Sequence, residues 1–397
     1  MTNKQLVLVV GGGFGGVKAA RELAYDDRFV VTLLSDDTDL RYYPTLYLAA
    51  TGAKRANSSI PLSTIFAKTT VKIIKGKAEK LDRDTKTLVT TTGEELAYDI
   101  LILALGTVTN YFGIPGLQDY SYGIKSQDEA AKLKAHLHNQ LIENQRPDLN
   151  YVVVGAGPTG IELAGALPHY INRLIVNHGL KPQKIHVDII EAAPKLLPRM
   201  PDDTTRAVDR QLKKLGIKVY TGSAVQGETA DSLTVNGKPI RSHTVVWTAG
   251  MMNNTFFVDN KFYINKRNKV ATDIFLQADT NIFVIGDNAE TPYSGMAQTA
   301  LHDGIFVANN LKRRASGKPM RSYSAKRPIT IITAGEHWAA VIWGSLRIYG
   351  LLGWVLREAA DLLGFYDLEP WREAAKQWLT EFSSQDDCVV CAIAESK

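Results

Sequence analysis

The chain has 397 residues, which is more than one ordinary domain needs, so we expect two or three domains. Hydrophobic residues make up 45% and charged residues 22% of the chain, a balance that excludes a largely disordered protein. The net charge of +5 permits anionic partners without demanding them, and two cysteines are too few for a disulfide framework.

The first predicted element is a buried strand, "LVLVV" at residues 6–10, which runs into a glycine-rich turn and not into a signal-cleavage pattern. The glycines are spaced as GxGxxG and are followed by apolar residues at helical spacing. Such glycines let the chain turn sharply, approach a pyrophosphate and pack helix on strand, with helix N–H groups facing the phosphates. We therefore predict a dinucleotide site formed by Gly11, Gly13, Phe14 and Gly16.

The second strand of this unit is predicted over "FVVTLLS", residues 29–35. An acid near the end of this strand commonly holds the ribose hydroxyls of the dinucleotide. Here Ser35 stands at the usual place and Asp36 follows it. We assign both residues to the same cofactor and leave open which of them binds the ribose.

A second glycine turn follows the apolar strand "YVVV", residues 151–154, and repeats this logic. Its predicted cofactor-binding residues are Gly155, Gly157, Thr159 and Gly160. The unit returns as "KIHVDIIEAAP", in which Glu191 ends the strand. A carboxylate there accepts hydrogen bonds from a ribose 2′-OH and repels a 2′-phosphate, so Glu191 favours NADH over NADPH. Nearby Lys195 weakens that preference.

Two dinucleotide sites in one chain suit a reaction in which one cofactor gives a hydride to the other. Nicotinamide donates two electrons as a hydride, and a flavin accepts them and passes them on singly or in pairs. We therefore assign FAD to the first turn and NADH to the second. The alternative is a glycine turn without a ligand, but here the strand–turn–helix–strand pattern occurs twice.

Three further stretches resemble motifs of the two-dinucleotide-binding flavoproteins, the pyridine nucleotide-disulfide oxidoreductase superfamily. They are "YDILILALGT" (98–107), "TVVWTAGM" (244–251) and "TNIFVIGDNAE" (280–290). The resemblance implies that the chain leaves the FAD domain near Gly106 and the NADH domain near Gly250. It also implies that Gly286 approaches the flavin and that Asp287 accepts hydrogen bonds from the ribityl chain. We assign all four residues to cofactor binding.

Within that superfamily the chain most resembles the type II NADH:quinone oxidoreductases, single-chain respiratory dehydrogenases that do not pump protons. Two stretches carry this resemblance, "RYYPTLYLAATG" (41–52) and "GMAQTALHDG" (295–304). The first resembles the loop beside the isoalloxazine, which implies contacts from Pro44 and Thr45. The second resembles the family's Ala-Gln-x-Ala motif, which implies a helix N-terminus at Ala297 that faces the flavin and a quinone slot bordered by Gln298.

Glu162 and Gln298 are the candidate catalytic residues that follow from this resemblance. Glu162 is interpreted as a proton relay or gate toward the quinone, or as an acid that favours the first turn of a helix through the helix dipole. His302 and Asp303 likewise form a proton path or an ordinary helix surface. The sequence leaves both pairs of alternatives open.

The cysteine positions exclude two other groups of the superfamily. Disulfide reductases need a cysteine pair in the FAD domain and sulfide:quinone reductases need cysteines beside the flavin, whereas Cys388 and Cys391 lie in the tail. Their CxxC spacing allows a redox pair or half of a zinc site, and two ligands do not complete a tetrahedral site. We therefore predict no metal and leave open a mobile redox tail or an incidental pair.

The C-terminal region tests whether the chain spans a membrane. "WAAVIWGSLRIYGLLGWVL" (338–356) carries a single charge and is nearly long enough to span a bilayer. Its glycines, especially in the Gly344-Ser345 pair, favour a hairpin followed by an amphipathic helix. The first predicted helix aligns Leu351, Val355, Leu362 and Phe365, away from Arg357, Glu358 and Asp361. The second begins at Pro370 and aligns Trp371, Ala375, Trp378 and Phe382.

This region is expected to dock on a membrane, because five of the six tryptophans lie in it and tryptophan prefers the lipid–water boundary. Packing on the protein's own core or on a dimer partner is the alternative. The basic run 311–327 faces anionic lipid or is a solvated linker. Arg357 and Lys376 meet quinone or lipid headgroups, or are solvated charges. No nucleic-acid motif accompanies the basic run.

The whole sequence predicts an α/β fold with two Rossmann-like domains, for FAD and NADH, plus a C-terminal module of hairpin and amphipathic helices. The FAD domain is expected over 1–110 and 252–330, the NADH domain over 111–251 and the module over 331–397. The predicted partners are menaquinone or ubiquinone and the cytoplasmic face of the cell membrane, and not nucleic acid; a homodimer is left open. The alternative is a soluble NAD(P)H-dependent flavin reductase that donates to an iron–sulfur or thiol protein.

Overall fold

The computed structural model describes residues 4–53, 58–143, 148, 150–182, 184–369 and 371–381. Its strands are β1 (Gln5–Val10), β2 (Phe29–Ser35), β3 (Asp39–Arg41), β4 (Ser59–Pro61), β5 (Lys72–Lys75), β6 (Ala78–Asp82), β7 (Thr87–Thr90), β8 (Glu95–Ala97), β9 (Ile100–Leu103), β10 (Thr107–Thr109), β11 (Tyr151–Val154), β12 (Val187–Ile190), β13 (Lys218–Tyr220), β14 (Val225–Thr229), β15 (Ser232–Val235), β16 (Lys238–Arg241), β17 (Thr244–Trp247), β18 (Met251–Asn253), β19 (Gln277–Asp279), β20 (Ile282–Val284), β21 (Thr330–Thr333), β22 (Ala339–Trp343) and β23 (Leu346–Gly350). Its α-helices are α1 (Phe14–Ala24), α2 (Leu46–Ala50), α3 (Leu62–Ile65), α4 (Leu117–Tyr120), α5 (Gln127–His138), α6 (Pro158–Asn177), α7 (Asp202–Lys214), α8 (Phe256–Asp259), α9 (Ala297–Ala315), α10 (Leu351–Leu368) and α11 (Trp371–Glu381).

The chain forms two compact units, and the first contains the described residues of 1–41, 60–109 and 251–328. Its centre is a six-stranded sheet in the order β19-β20-β9-β1-β2-β5, parallel except at the edge strand β19. Strand β9 is apolar and buried along its whole length, as expected where both faces of a parallel sheet are covered. Helices α1 and α9 pack backbone to backbone, because a β-carbon at Gly304 would overlap the carbonyl oxygen of Gly15.

The second unit contains the described residues of 42–59, 110–250 and 329–397. Its main sheet is parallel, in the order β13-β12-β11-β17, and two antiparallel sheets, β14-β15-β16 and β21-β22-β23, complete the unit. Helix α2 packs against α5 and α6, and Arg173 of α6 donates to the carbonyl oxygen of Thr51 at 3.0 Å. Residues 42–59 therefore share a core with the second sheet.

Both sheets have the Rossmann strand order when each sheet's parallel strands are counted along the chain, 3-2-1-4-5 in the first unit and 3-2-1-4 in the second. The predicted strand–turn–helix–strand pattern is observed in each, through β1, α1 and β2 and through β11, α6 and β12. This confirms the predicted α/β fold class. The assignment of 1–110 with 252–330 to FAD and of 111–251 to NADH remains a prediction.

The predicted hairpin is confirmed, since β22 and β23 pair as antiparallel neighbours around Gly344-Ser345 and lead into α10. Helix α10 approaches the hairpin closely, because a β-carbon at Gly353 would overlap the carbonyl oxygen of Ala339. No helix in the described part of the chain is both long and apolar enough to cross a membrane.

The predicted orientation of α10 is wrong. Its buried residues are Gly353, Arg357, Asp361, Phe365 and Leu368, whereas Leu351 and Val355 are exposed. Arg357 and Asp361 face inward because they lie four residues apart on the same side of the helix as Phe365 and find polar partners there. Trp371 is exposed at the start of α11, and Ala375 and Trp378 of the same helix are partly buried. Pro370, Phe382, Cys388 and Cys391 lie outside the described residues.

The basic run 311–327 belongs to the first unit and is partly engaged within it. Lys312 lies 3.3 Å from a carboxylate oxygen of Glu22, and Arg314 donates to the side chain of Asn281 at 2.9 Å. Lys318, Arg321, Lys326 and Arg327 are exposed. The run is therefore neither a free linker nor uniformly available to an anionic surface.

Candidate functional site

The first glycine turn lies at the carboxyl edge of the six-stranded sheet, between β1 and α1. Gly11 has a φ of 117°, and a β-carbon there would overlap the carbonyl oxygen of Ala104. A β-carbon at Gly16 would overlap the carbonyl oxygen of Gly11, so helix and strand touch through bare backbone. The N-cap of α1 is Gly13, which has open space around its Cα and no side chain to accept the helix N–H groups. This donor set fits a pyrophosphate.

Ser35 and Asp36 follow the end of β2 and differ in environment. The hydroxyl of Ser35 is buried and lies where a β-carbon on Gly12 would meet it. The side chain of Asp36 is 59% exposed and lies 3.5 Å from Arg41. An exposed carboxylate beside the turn suits ribose hydroxyls better than the enclosed hydroxyl of Ser35 does.

The turn after β20 brings the other predicted residues of the first unit together. Gly286 N–H donates to the carboxylate of Asp303 at 3.0 Å, and Asp287 accepts from the N–H of Gly295 at 3.0 Å. Gly106 is bonded to the side chain of Asn288 in the same turn. Helix α9 begins at Ala297 as predicted, and Gln298 in its first turn is exposed.

Asp303 is neither helix surface nor an exposed proton carrier. It is fully buried, and it accepts hydrogen bonds from Gly286 N–H and, at 2.6 Å, from the hydroxyl of Tyr323. Burial raises the pKa of Asp303 to about 6, against the opposing effect of these two donors. The side chain of its neighbour His302 has its Nε2 atom 2.9 Å from the carbonyl oxygen of Ser324.

The second glycine turn lies in the second unit and has a close backbone contact like that of the first. Gly155 has a φ of 110°, and a β-carbon at Gly160 would overlap the carbonyl oxygen of Gly155. Gly157 is the N-cap of α6 and has open space around it, and Thr159 in the first turn is exposed. The turn therefore offers the same bare helix N-terminus to an anion.

Glu191 stands at the end of β12 and supports this turn directly. Its carboxylate accepts the N–H of Ala156 at 2.7 Å and the N–H of Ala193 at 2.8 Å. Lys195 does not pair with Glu191 but donates to Asp202 at 2.6 Å. Gly250, at the end of the second unit's main sheet, lies against Asn110. The carboxylate is thus held at the turn with lone pairs left for a ribose.

A buried cluster of charges joins three distant parts of the second unit. Arg357 donates to Glu162 at 3.3 Å, to Asp361 at 2.5 Å and to the carbonyl oxygen of Pro44 at 2.6 Å. Glu162 also accepts the N–H of Thr333 at 3.4 Å. All three charged side chains are about nine-tenths buried. We call Glu162, Arg357 and Asp361 the buried triad.

Two expectations about the buried triad are wrong. Glu162 is the fifth residue of α6, and the first turn of that helix contains no acid, so an interaction with the helix terminus does not explain it. Arg357 is not solvated. It is buried between two carboxyl groups and is the only cation of the triad. Lys376 is exposed. The signal in the sequence was the Arg–Asp pair spaced by four beside Gly353 and Phe365, which indicates a buried ion pair.

Two tyrosines near Pro44, Tyr42 and Tyr47, lie beside the buried triad. The hydroxyl of Tyr42 donates to Asp361 at 3.2 Å, and its ring stacks on Phe365 with centroids 4.4 Å apart. The hydroxyl of Tyr47 accepts a hydrogen bond from Thr333 at 3.0 Å, and burial raises its pKa. Thr45, beside Pro44, is fully buried. The loop that carries Pro44 and Thr45 is thereby fixed to α6 and α10.

The charge balance of the triad determines which carboxyl group keeps a proton. One guanidinium faces two carboxyl groups, and the shorter bond goes to Asp361. Burial raises the pKa of Glu162 to about 7, although Arg357 opposes the shift. The pKa of Arg357 is raised well above its ordinary value by the two carboxylates, against the effect of its burial. Glu162 thus favours its protonated form more than an exposed carboxyl group would.

The described residues contain no group of His, Cys, Asp and Glu side chains arranged to hold a metal ion.

Glu162→Gln is expected to change how stability depends on pH. An acid whose pKa is raised by folding loses stability as pH rises from its unfolded to its folded pKa, by about 1.4 kcal/mol for each pH unit between the two values. Wild-type protein should therefore lose stability relative to Glu162→Gln between about pH 4.5 and 7. Thermal unfolding of both proteins at several pH values measures this. The exposed Glu373→Gln is the control; parallel curves for wild type and Glu162→Gln would contradict the raised pKa.

Relatives of established name are similar to most of the chain. The type II NADH:quinone oxidoreductase of Staphylococcus saprophyticus is 28% identical over 367 residues, which cover 86% of this chain and 90% of that protein. The Staphylococcus aureus protein of the same name is 28% identical over 358 residues, 84% of this chain and 89% of that protein. The predicted resemblance to these oxidoreductases is confirmed.

Solved structures have the same fold. The structure of NDH2 from Plasmodium falciparum in complex with NADH has a TM-score of 0.84 at 17% identity and covers 96% of this chain and 98% of that one. The sulfide:quinone oxidoreductase of Aquifex aeolicus has a TM-score of 0.76 at 22% identity and covers 89% of each chain. The family model described as pyridine nucleotide-disulphide oxidoreductase matches residues 5–304. The chain belongs to the pyridine nucleotide-disulphide oxidoreductase family.

Proposed function

We propose that this chain is an FAD-dependent NADH:quinone oxidoreductase that does not pump protons. The single observation that carries the proposal is the pair of glycine turns, each with an open helix N-terminus at the carboxyl edge of its own parallel sheet. The relatives named type II NADH:quinone oxidoreductases support quinone as the acceptor. A bound flavin would accept a hydride from NADH and release two electrons to the quinone.

In this proposal the first unit holds FAD. The backbone N–H groups that face the pyrophosphate belong to the turn of Gly11, Gly13, Phe14 and Gly16. Asp36 accepts hydrogen bonds from the ribose hydroxyls. Gly286 and Asp287 would hold the ribityl side, and the N-terminus of α9 at Ala297 would supply N–H groups and a positive dipole end beside the ring. Gln298, exposed in that first turn, borders the quinone slot.

The second unit holds NADH in the same way. Gly155, Gly157 and Gly160 with Thr159 surround the pyrophosphate, and Glu191 accepts hydrogen bonds from the ribose. A 2′-phosphate would meet the negative charge of Glu191, which the N–H groups of Ala156 and Ala193 hold in place. The site therefore selects NADH over NADPH by repulsion.

Glu162 supplies a proton for quinone reduction in this proposal. A quinone takes up two protons with its two electrons, so a buried acid with a pKa of about 7 is suited to donate at neutral pH. Burial raises this pKa and Arg357 opposes the rise, while the same guanidinium bonds both the Glu162 carboxyl group and the carbonyl oxygen of Pro44. The triad retains one carboxylate, Asp361, so donation by Glu162 leaves Arg357 paired.

The hairpin and α10 dock the protein on a membrane in this proposal, as a peripheral protein of the cytoplasmic face. Large apolar residues on neighbouring elements are about half exposed or more, namely Trp343, Leu346, Leu351, Leu352 and Val355 at 58, 51, 62, 60 and 48%. We call these five residues the apolar surface. Apolar side chains with tryptophan at this density favour the interface of a bilayer.

Stopped-flow absorbance tests the reaction itself. Anaerobic NADH should bleach the flavin of the wild-type protein, and menaquinone or ubiquinone analogues should then restore its colour at the turnover rate. Glu162→Gln should slow the restoration roughly 10- to 100-fold and leave the bleaching within about 2-fold. The wild-type rate should fall as pH rises above about 7, the pKa of Glu162, and the variant should not follow it. Bleaching without restoration by any quinone would refute quinone as the acceptor.

Glu191→Arg is expected to shift preference from NADH toward NADPH, because it replaces repulsion of a 2′-phosphate by attraction. The ratio of kcat/KM for the two nucleotides measures this. Glu191→Gln is the control for the charge, since its amide oxygen still accepts one of the two N–H groups that the carboxylate holds. An unchanged ratio in a correctly folded Glu191→Arg variant would rule out the assigned role of the carboxylate.

Vesicle flotation tests the apolar surface. Wild-type protein should float with liposomes of mixed zwitterionic and anionic lipid, and a triple variant, Leu351→Ser, Leu352→Ser and Val355→Ser, should stay in solution. Reduction of the flavin by NADH should persist in the variant, because the three side chains point to solvent. Exposed Val176→Ser on α6 is the control. Equal flotation of wild-type and triple-variant protein would show that this surface does not bind the membrane.

A further inference from the structure

Two short strands carry the chain between the units. The chain leaves the first unit after β10 and re-enters it at β18, on either side of residues 110–250. Strands β10 and β18 pair as antiparallel neighbours, with Thr107 opposite Asn253 and Thr109 opposite Met251. We call this pair the connecting ribbon.

One buried side chain holds the connecting ribbon to the turn that contains Gly286 and Asp287. Asn288, the last residue of that turn, is fully buried. Its Oδ1 accepts the N–H of Gly106 at 2.9 Å, and its Nδ2 donates to the carbonyl oxygen of Gly106 at 2.7 Å. The amide thereby pairs with both polar groups of the residue that precedes β10.

The same amide also reaches the other strand of the ribbon. Nδ2 of Asn288 donates its second hydrogen to Oδ1 of Asn253, the last residue of β18, at 2.5 Å. Asn253 is buried as well, and its Oδ1 also accepts the N–H of Asn254 at 3.1 Å. A single asparagine therefore uses its acceptor and both donor hydrogens on the two strands that lead to and from residues 110–250.

The chemistry of these contacts requires an amide of this length. Aspartate would accept from Gly106 N–H but would set a charge against two oxygen atoms, the Gly106 carbonyl and Asn253 Oδ1. An apolar residue would leave the half-buried N–H and carbonyl groups of Gly106 without these partners. Gly106 has a φ of 68°. Because glycine adopts positive and negative φ about equally readily, the local chain does not fix this conformation by itself.

We propose that Asn288 is a positioning residue that sets the connecting ribbon and the Gly286-Asp287 turn in one fixed relation. This rests on the proposed function in so far as that turn holds the flavin. The turn assigned to the flavin is then held by both strands of the ribbon, so loss of the anchor shifts that turn and slows flavin reduction more than it weakens nucleotide binding.

The test compares Asn288→Ala with Asn310→Ala in the holoprotein. Asn310 is an equally buried asparagine of the first unit whose amide pairs in the same two-bond manner with the backbone of Arg321. Hydrogen exchange at residues 106–109 and 251–253 should quicken about 10-fold or more in Asn288→Ala and remain unchanged in Asn310→Ala. Flavin reduction at saturating NADH should slow about 10-fold or more in Asn288→Ala, with the Kd for NADH within about 3-fold.

A second variant keeps the test decisive if Asn288→Ala does not fold. Asn253→Ala leaves the pairing of Asn288 with Gly106 intact and removes the bond from Asn288 to β18, together with the bond from Asn254 N–H. Exchange should then quicken at 251–253 and stay slow at Gly106. Unchanged exchange in the ribbon of both variants, or equal slowing of flavin reduction in Asn310→Ala, would overturn the positioning role. Failure of NADH to reduce the wild-type flavin would refute the proposed function instead, and ribbon exchange alone would decide the role of Asn288.

Discussion

Close approach of backbone to backbone at the ends of two parallel sheets is the constraint on which the rest of this protein depends. At Gly16 and Gly160 a single added carbon would overlap the carbonyl oxygen of the preceding turn. Because helix and strand touch there, the first N–H groups of α1 and α6 project beyond the sheet edge with no side chain in front of them. Tight packing thus leaves each helix N-terminus open, and the proposed function places a cofactor phosphate there.

The second unit combines this surface with a buried ionic cluster. Burying charges is unfavourable unless each finds a partner, and Arg357 satisfies this by reaching two carboxyl groups and a backbone carbonyl at once. The contacts draw together residues from three separate stretches of the chain. Burial raises the pKa of Glu162 to about 7 against the effect of Arg357, so the burial that requires a paired cluster also shifts this pKa toward neutrality.

Local patterns predicted what depends on local geometry. Glycine spacing and apolar runs placed β1, β11 and the helices after them, because a tight turn and a fully buried parallel strand impose their own residue types. The hairpin at Gly344-Ser345 was equally local. Helix α10 shows the limit of such local prediction. The apolar pattern places Phe365 and Arg357 on different sides of the helix, whereas both are buried on the same side. Hydrophobicity alone does not indicate that a polar partner lies opposite a helix face.

The sequence by itself therefore determined the two Rossmann-like sheets, their glycine turns and the family to which the chain is similar, since each follows from neighbouring residues. Only the tertiary structure decided that Arg357 and Asp361 are buried beside Glu162, that Asp303 holds Gly286, and that Asn288 joins both connecting strands. The physical reason is desolvation. Whether a polar side chain leaves water depends on partners contributed by residues far away in the chain, and these partners meet only in the folded protein.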